Sequence, residues 1–182
     1  MPAIRISPRL LVTIAALAAL CAGLVVGEFR HVNSAAAAPV AQAAPTALNQ
    51  DLSMRLMQAA VAAASQANVK ESFSIVDANG NELMMVHGDG ANFFTSDIAR
   101  GKANATAAFG VSGAAWAQSL TQNPGFWGSL SSLGRPLVTA QGSLPIMIDG
   151  VRVVAMGASG GSGQQDEDFV RAAFNAVGLT TP

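Results

Sequence analysis

The stretch FSIVDANGNELMMV, residues 73–86, decides the first part of the fold. Two apolar runs, Phe73–Val76 and Leu83–Val86, flank Asn79-Gly80, the dipeptide that most readily takes positive φ at both central positions of a type I′ turn. Apolar runs of this kind, bounded by turn residues, are typical of strands. The sequence therefore predicts a β-hairpin with a two-residue turn.

Helical patterns precede this hairpin and close the chain. Apolar residues recur at helical spacing over residues 51–68, with Asn49 or Asp51 as a candidate N-cap. After a glycine-rich stretch, acidic residues at 166–168 favour the first turn of a last helix, which should end near Gly178.

The middle of the chain combines helix and turn signals. Thr95 or Ser96 can cap a helix that runs to about residue 109, and a shorter helix is predicted at 114–121. Residues 123–136 carry Pro, Gly and Ser around two aromatic residues, a composition that predicts a loop with an aromatic tip.

Three further strands are predicted at residues 137–140, 144–148 and 151–156, the last two joined by the hairpin signal Asp149-Gly150. The strands are joined mostly by hairpins, which favours an antiparallel sheet over a doubly wound parallel one. The sequence thus predicts an α/β (α+β) domain: a five-stranded antiparallel sheet packed with helices.

The N-terminus has the composition of an export signal. Arg5 and Arg9 precede an apolar run from Leu10 to Gly27, and small residues follow it. The run is also long enough to cross a bilayer if it is not cleaved. We therefore predict a signal peptide or membrane anchor at residues 1–34, an Ala/Pro-rich spacer at 35–49 and one domain at 50–182. The protein is expected to be extracytoplasmic, with membrane contact only through an uncleaved leader.

Composition excludes several classes of function. Lys plus Arg number 10 against 11 Asp plus Glu, so no basic excess is available for nucleic acid. The single cysteine, Cys21, lies in the leader, which excludes a disulfide or thiol nucleophile in the domain. Small residues at Ala99, Ala103, Ala107 and Ala108 predict shallow helix faces and hence a homo-oligomer.

Two sets of residues could be taken for a catalytic or a metal site, but a structural role explains each of them better. Gly157-Ala158-Ser159-Gly160-Gly161 matches the G-x-S-x-G pattern of hydrolases, but that fold needs a parallel sheet and a histidine after the serine. Asp77, Asp89 and Asp166 could be taken for a metal cluster, yet Asp77 and Asp89 sit at turns, where carboxylates accept backbone hydrogen bonds. We therefore predict a tight backbone turn at the first motif and turn roles for Asp77 and Asp89.

An ordered set of segments resembles the GlcG/HbpS family, also called the haem-degrading domain family. The segments are Phe73–Asn81, Gly88–Ala91, Ala99–Ala103, Gly157–Gly160 and Gln165–Glu167. The resemblance covers nearly all of residues 50–178. It implies a profilin-like fold, assembly into a homo-oligomer and, as in several members, binding of haem or a related tetrapyrrole.

One departure from the family pattern concerns a ligand. Where the family usually has Arg before the aspartate-glycine turn, this chain has His87, whose imidazole can ligate iron. Tyr is absent and Cys21 is confined to the leader, so His87 is the strongest candidate for an axial and metal ligand near neutral pH. Where the family often has Pro-Thr after the second helix, this chain has Val111-Ser112-Gly113, so the hydroxyl stands in a different context.

The leading hypothesis is an extracytoplasmic haem-binding protein that acts as scavenger, buffer or sensor component. Its candidate haem-binding residues are His87, Asp89, Met85, Phe93, Ser112 and Trp116. Two alternatives stay open: an enzyme or enzyme accessory that degrades haem or serves small-acid chemistry, and an oligomeric interaction module without a cofactor. Catalytic residues are not assigned, because only His87 and Asp89 offer neighbouring titratable groups.

Overall fold

The computed structural model describes residues 48–132 and 134–180. The predicted leader and most of the predicted spacer lie outside the described residues. Within them, five helices and four strands follow one another along the chain: α1 Gln50–Gln66, β1 Ser72–Asp77, β2 Glu82–Val86, α2 Thr95–Phe109, α3 Gly113–Leu120, α4 Pro124–Ser131, β3 Ser143–Ile148, β4 Val151–Ser159 and α5 Gly163–Ala176. None of the helices described is long and apolar enough to cross a membrane.

The strands form one antiparallel sheet with the order β2-β1-β4-β3. The prediction of an α+β domain with an antiparallel sheet is confirmed, whereas the fifth strand is wrong. Residues 137–140 run outside the sheet, because the Val138 amide donates to Gly101 O of α2 at 3.0 Å. A Cβ at Gly101 would stand 2.5 Å from Val138 Cγ2, so glycine lets this segment lie directly on the helix.

Each face of the sheet packs against different helices. Phe73, Ile75 and Met156 belong to the larger core, which α1 and α5 cover with residues such as Leu56 and Phe174. On the opposite face, α2 approaches closely: a Cβ at Gly157 of β4 would stand 2.4 Å from Ala99 O. The predicted tight backbone turn is wrong at Gly157, which lies within strand β4 and serves helix packing; the chain bends only at Gly160 and Gly161.

The two hairpins turn in different ways. In the β3–β4 turn, Asp149 and Gly150 both have positive φ, 50° and 74°, as a type I′ turn demands. In the β1–β2 turn only Gly80 has positive φ, so the predicted two-residue turn is wrong. The Asp77 carboxylate instead accepts the backbone amides of Asn79 and Asn81, each at 2.8 Å, and hydrogen bonding to Asn81 holds the pKa of Asp77 below its usual value.

The N-cap residue was predicted correctly for α1 and incorrectly for α2. Asn49 caps α1, with its Oδ1 accepting the Leu52 amide at 2.8 Å. Thr95 and Ser96 do not cap α2: Phe94 occupies that position without a side-chain bond, and both hydroxyls serve other contacts. The predicted loop at 123–136 contains α4, which Pro124 starts at its first turn, a position where the missing N–H of proline costs nothing.

Candidate functional site

His87 stands immediately after β2, with its side chain on the sheet face that α2 covers. Its Nδ1 lies 2.8 Å from Ser96 Oγ of α2 and 3.2 Å from Ser72 Oγ of β1. The residue is exposed, and no described residue hydrogen-bonds its Nε2. Two elements therefore hold one nitrogen of the ring while the other faces outward.

A chain of hydroxyls indicates which nitrogen of His87 carries the proton. Thr95 Oγ1 donates to Asn92 O at 2.7 Å, so Ser72 Oγ must donate in the 2.7 Å bond between Ser72 and Thr95. Ser72 then offers only a lone pair to His87 Nδ1. Ser96 Oγ can donate to Nδ1 or accept from it; with the proton on Nδ1 both serines accept, and Nε2 keeps the lone pair with which imidazole binds a metal.

The loop that follows His87 contains two glycines, the carboxylate of Asp89 and two phenylalanine rings. Gly88 is required, since a Cβ there would stand 2.0 Å from Glu71 O. Asp89 is exposed. Phe93 is 85% exposed and meets Phe94 edge to face, with 5.4 Å between ring centroids. A ring of this size left in water favours contact with a flat ligand or another subunit.

Met85 lies two residues before His87 on the same face of the strand. It pairs with Ser74 of β1, whose hydroxyl donates to Glu82 at 2.9 Å. Arg100 holds the same carboxylate with two bonds of 3.0 Å, and hydrogen bonding to Glu82 raises the pKa of Arg100. Because Met85 and His87 project to the same side, these two side chains of one subunit do not face each other across a flat ligand.

Ser112 and Trp116 lie at the other end of α2. Ser112 Oγ accepts the Ala115 amide as the N-cap of α3, and Trp116 packs on Phe109 with 4.4 Å between ring centroids. The helix between Ser96 and Phe109 corresponds to about 20 Å. Within one subunit, His87 and Met85 share a face of the sheet, and Asp89 and Phe93 follow in the next loop, where Asp89 lines a cavity with Val61 and Ala64 of α1. Ser112 and Trp116 lie apart from them, beyond the far end of α2.

A buried charge cluster was absent from the sequence predictions. Lys102 of α2 donates to Asp166 Oδ2 of α5 at 2.5 Å and to Ala158 O at 3.0 Å, and both charged side chains are at least 95% buried. Asp166 also accepts the Gly161 amide at 3.0 Å. The only sequence signal for this ion pair was a lysine inside a run of small residues.

Glu71 adds a second carboxyl to this charge cluster. It is 3% exposed, and neither carboxyl oxygen has a hydrogen-bond partner among the described residues. Burial, together with the negative charge of Asp166, raises the pKa of Glu71 from 4.5 to about 8. Glu71 therefore keeps its proton at pH 7, and with Lys102 and Asp166 the cluster is neutral overall.

A family model described as "Haem degrading protein HbpS-like" matches residues 48–175. The chain belongs to this HbpS-like family. The resemblance drawn from the hairpin and the glycine-rich segments is confirmed. The described residues contain no group of three His, Cys, Asp or Glu side chains that could hold a metal ion, and Asp77 has its predicted turn role.

Similar proteins of known name or structure support this placement. The corrinoid adenosyltransferase PduO of Salmonella typhimurium is 31% identical over 137 residues, which cover 75% of this chain and 41% of that protein. The chain therefore spans about two fifths of the length of this relative. A crystal structure of a PduOC:heme complex has a TM-score of 0.68 and 30% identity, covering 74% of this chain and 98% of that one. The crystal structure of HbpS gives 0.65 and 28%, with coverage of 73% and 92%.

Proposed function

We propose that the protein binds haem, with His87 Nε2 as an axial ligand, and acts outside the cytoplasm as a scavenger, buffer or sensor component. The observation that carries the proposal is the imidazole of His87, held at Nδ1 by Ser96 and Ser72 and open at Nε2. The PduOC:heme complex, a relative of 30% identity, supports haem as the ligand.

The residues around His87 fit a flat iron-bearing ligand. The hydroxyls of Ser72 and Ser96 fix the ring orientation and so reduce the entropy lost when Nε2 binds iron. Phe93 offers an exposed ring for stacking, and Gly88 and Gly90 keep the adjoining backbone free of side chains. When bound, haem supplies the iron and its absorbance; the protein supplies the ligand and the surface.

Changing His87 to Ala should weaken hemin binding about tenfold or more, which corresponds to about 1.4 kcal/mol. His87 is the only histidine in residues 40–182, so the variant loses every imidazole of the domain. Titration of residues 40–182 with hemin, followed at the Soret band, measures the affinity. We expect a saturable Soret shift for the parent protein and a moved maximum for the variant.

Free imidazole provides the matched control. Added to the H87A variant, it should restore the parent Soret maximum if the lost group was an iron ligand. Ser96→Ala, which keeps the imidazole but removes one of its hydrogen bonds, should weaken binding less than H87A does. Identical hemin affinity and spectrum in the parent and H87A would return His87 to a structural role.

The extracytoplasmic part of the proposal rests on the leader sequence, with its arginines and its apolar run. Haem breakdown is a second candidate, which the description of the family favours. Incubating the hemin-loaded protein with a reductant and oxygen separates the two: loss of the Soret band over hours indicates degradation, and a stable band indicates binding alone.

We also propose that the protein forms a homo-oligomer, but for a different reason from the predicted one. Ala99, Ala103 and Ala107 are buried inside the subunit, so they do not supply a free helix face. Exposed apolar side chains instead lie between β2 and α2, where Phe93 and Phe94 meet, and at Leu83 on the edge strand β2. Sedimentation of residues 40–182 at micromolar concentration should show an oligomer, and Phe93→Ser should shift it toward monomer; a parent monomer would contradict the proposal.

A further inference from the structure

A cavity of about 420 Å³ opens at the end of α2 remote from His87. Its apolar walls come from Ala108 and Phe109 of α2, Leu130 of α4 and Leu137. This volume is in the range of small-molecule sites, which combine apolar walls with a few directed polar groups. Three polar residues, Asn79, Asn104 and Arg135, also line this cavity.

Asn104 presents an unused acceptor to the cavity. The side chain is only 6% exposed, and its Nδ2 donates to Pro136 O at 3.2 Å, which fixes the orientation of the amide. Its Oδ1 has no hydrogen-bond partner among the described residues. A buried acceptor without a partner is costly, so a ligand N–H or O–H placed here would gain a bond that the protein alone does not make.

Arg135 brings a positive charge to the same corner. Its Nη1 donates to Asn79 O at 2.7 Å, which anchors the guanidinium while its other N–H groups stay available. The nearby carboxylate of Asp77 is already held by the amides of its own turn. A Cβ at Gly80 would stand 2.7 Å from Arg135 Nη1 and 3.3 Å from Asn104 Oδ1, so glycine leaves the space between the two groups open.

We propose that this cavity binds a small amphipathic acid. Its carboxylate pairs with Arg135, an O–H or N–H group donates to Asn104 Oδ1, and a ring or short chain lies on Phe109 and Leu130. Guanidinium groups suit carboxylates because they donate two parallel hydrogen bonds. The site is separate from the proposed haem ligand, since about 20 Å of helix α2 lies between Phe109 and the contacts of His87.

The protein carries its own reporter for this site. Its only two tryptophans, Trp116 and Trp127, lie 4.4 Å and 5.9 Å from Phe109 between ring centroids, and tyrosine is absent. 4-Hydroxyphenylacetate, which has a ring, a carboxylate and a hydroxyl donor, is a suitable probe. Titrating it into the protein should give a saturable change in tryptophan emission, and calorimetry should give the same Kd.

Four variants test the parts of the site. Ala108→Met, on an exposed position of the wall, should fill the cavity and abolish probe binding, while Ala62→Met, on an exposed position of α1, should leave it unchanged. Arg135→Gln should weaken binding about tenfold or more. Asn104→Leu should remove the preference for 4-hydroxyphenylacetate over phenylacetate, which lacks the hydroxyl donor.

Hemin distinguishes this proposal from the proposed function. H87A should leave probe binding intact, and A108M should leave the hemin titration intact. The proposal is overturned if the probe gives no saturable signal or if A108M and A62M bind it equally. It is also overturned if A108M abolishes hemin binding and leaves probe binding unchanged, because the cavity would then be a haem site.

Discussion

Replacing Lys102 with methionine is expected to lower the free energy of unfolding by about 3–5 kcal/mol, because it leaves a buried carboxylate without its partner. Asp166 is 2% exposed, and after the change its remaining described hydrogen bond is the Gly161 amide. Methionine matches the length and apolar stem of lysine, so the effect reports the lost charge rather than a cavity. Denaturant unfolding measures the loss.

Two further variants separate the effect of burying the Lys102–Asp166 pair from the effect of an ion pair as such on the free energy of unfolding. Arg55→Met removes an exposed pair with Asp51, at 3.0 Å within helix α1, and should cost less than about 1 kcal/mol. The double change Lys102→Met with Asp166→Leu removes both charges and should recover much of the stability lost in K102M. If K102M costs no more than R55M, the ion pair does not stabilise the fold as described.

Local signals were enough to predict most of the elements. Asn49 as the cap of α1 and Asp149-Gly150 as a type I′ turn each act within a few residues, so their effect can be read along the chain. The segment at 137–140 shows where this fails. Its composition suits a strand, but the carbonyl of Gly101 in a distant helix takes the Val138 amide.

The candidate site was also predictable only in part from the sequence. Imidazole chemistry singled out His87 from the sequence, because few other iron ligands are present. Its partners Ser72 and Ser96 come from a different strand and a helix, and only the fold shows which nitrogen they hold. The Lys102–Asp166 pair spans 64 positions, beyond any local pattern. Glu71 follows Lys70 in an ordinary polar sequence, and only its burial makes it unusual.

Changing Glu71 to Gln should raise the melting temperature at pH 8.5 and raise it much less at pH 5. The folded protein holds the Glu71 proton up to about pH 8, whereas the unfolded chain releases it near 4.5. Between these values the folded state binds more protons, so this group lowers stability as pH rises. Glutamine cannot ionise, so the variant does not lose stability in this way as the pH rises.

Thermal unfolding of parent and E71Q between pH 4.5 and 9 measures the effect, and the gain at pH 8.5 should exceed about 1 kcal/mol, or roughly 3–5 °C. Lys102 and Asp166 stay in place in both proteins, so the difference curve isolates Glu71. Asp149→Asn, which neutralises an exposed carboxylate where Asn suits the positive φ, should show no such pH-dependent gain. Parallel melting curves for parent and E71Q across this range would mean that Glu71 is ionised in the folded protein, and that the buried cluster carries a net negative charge at neutral pH.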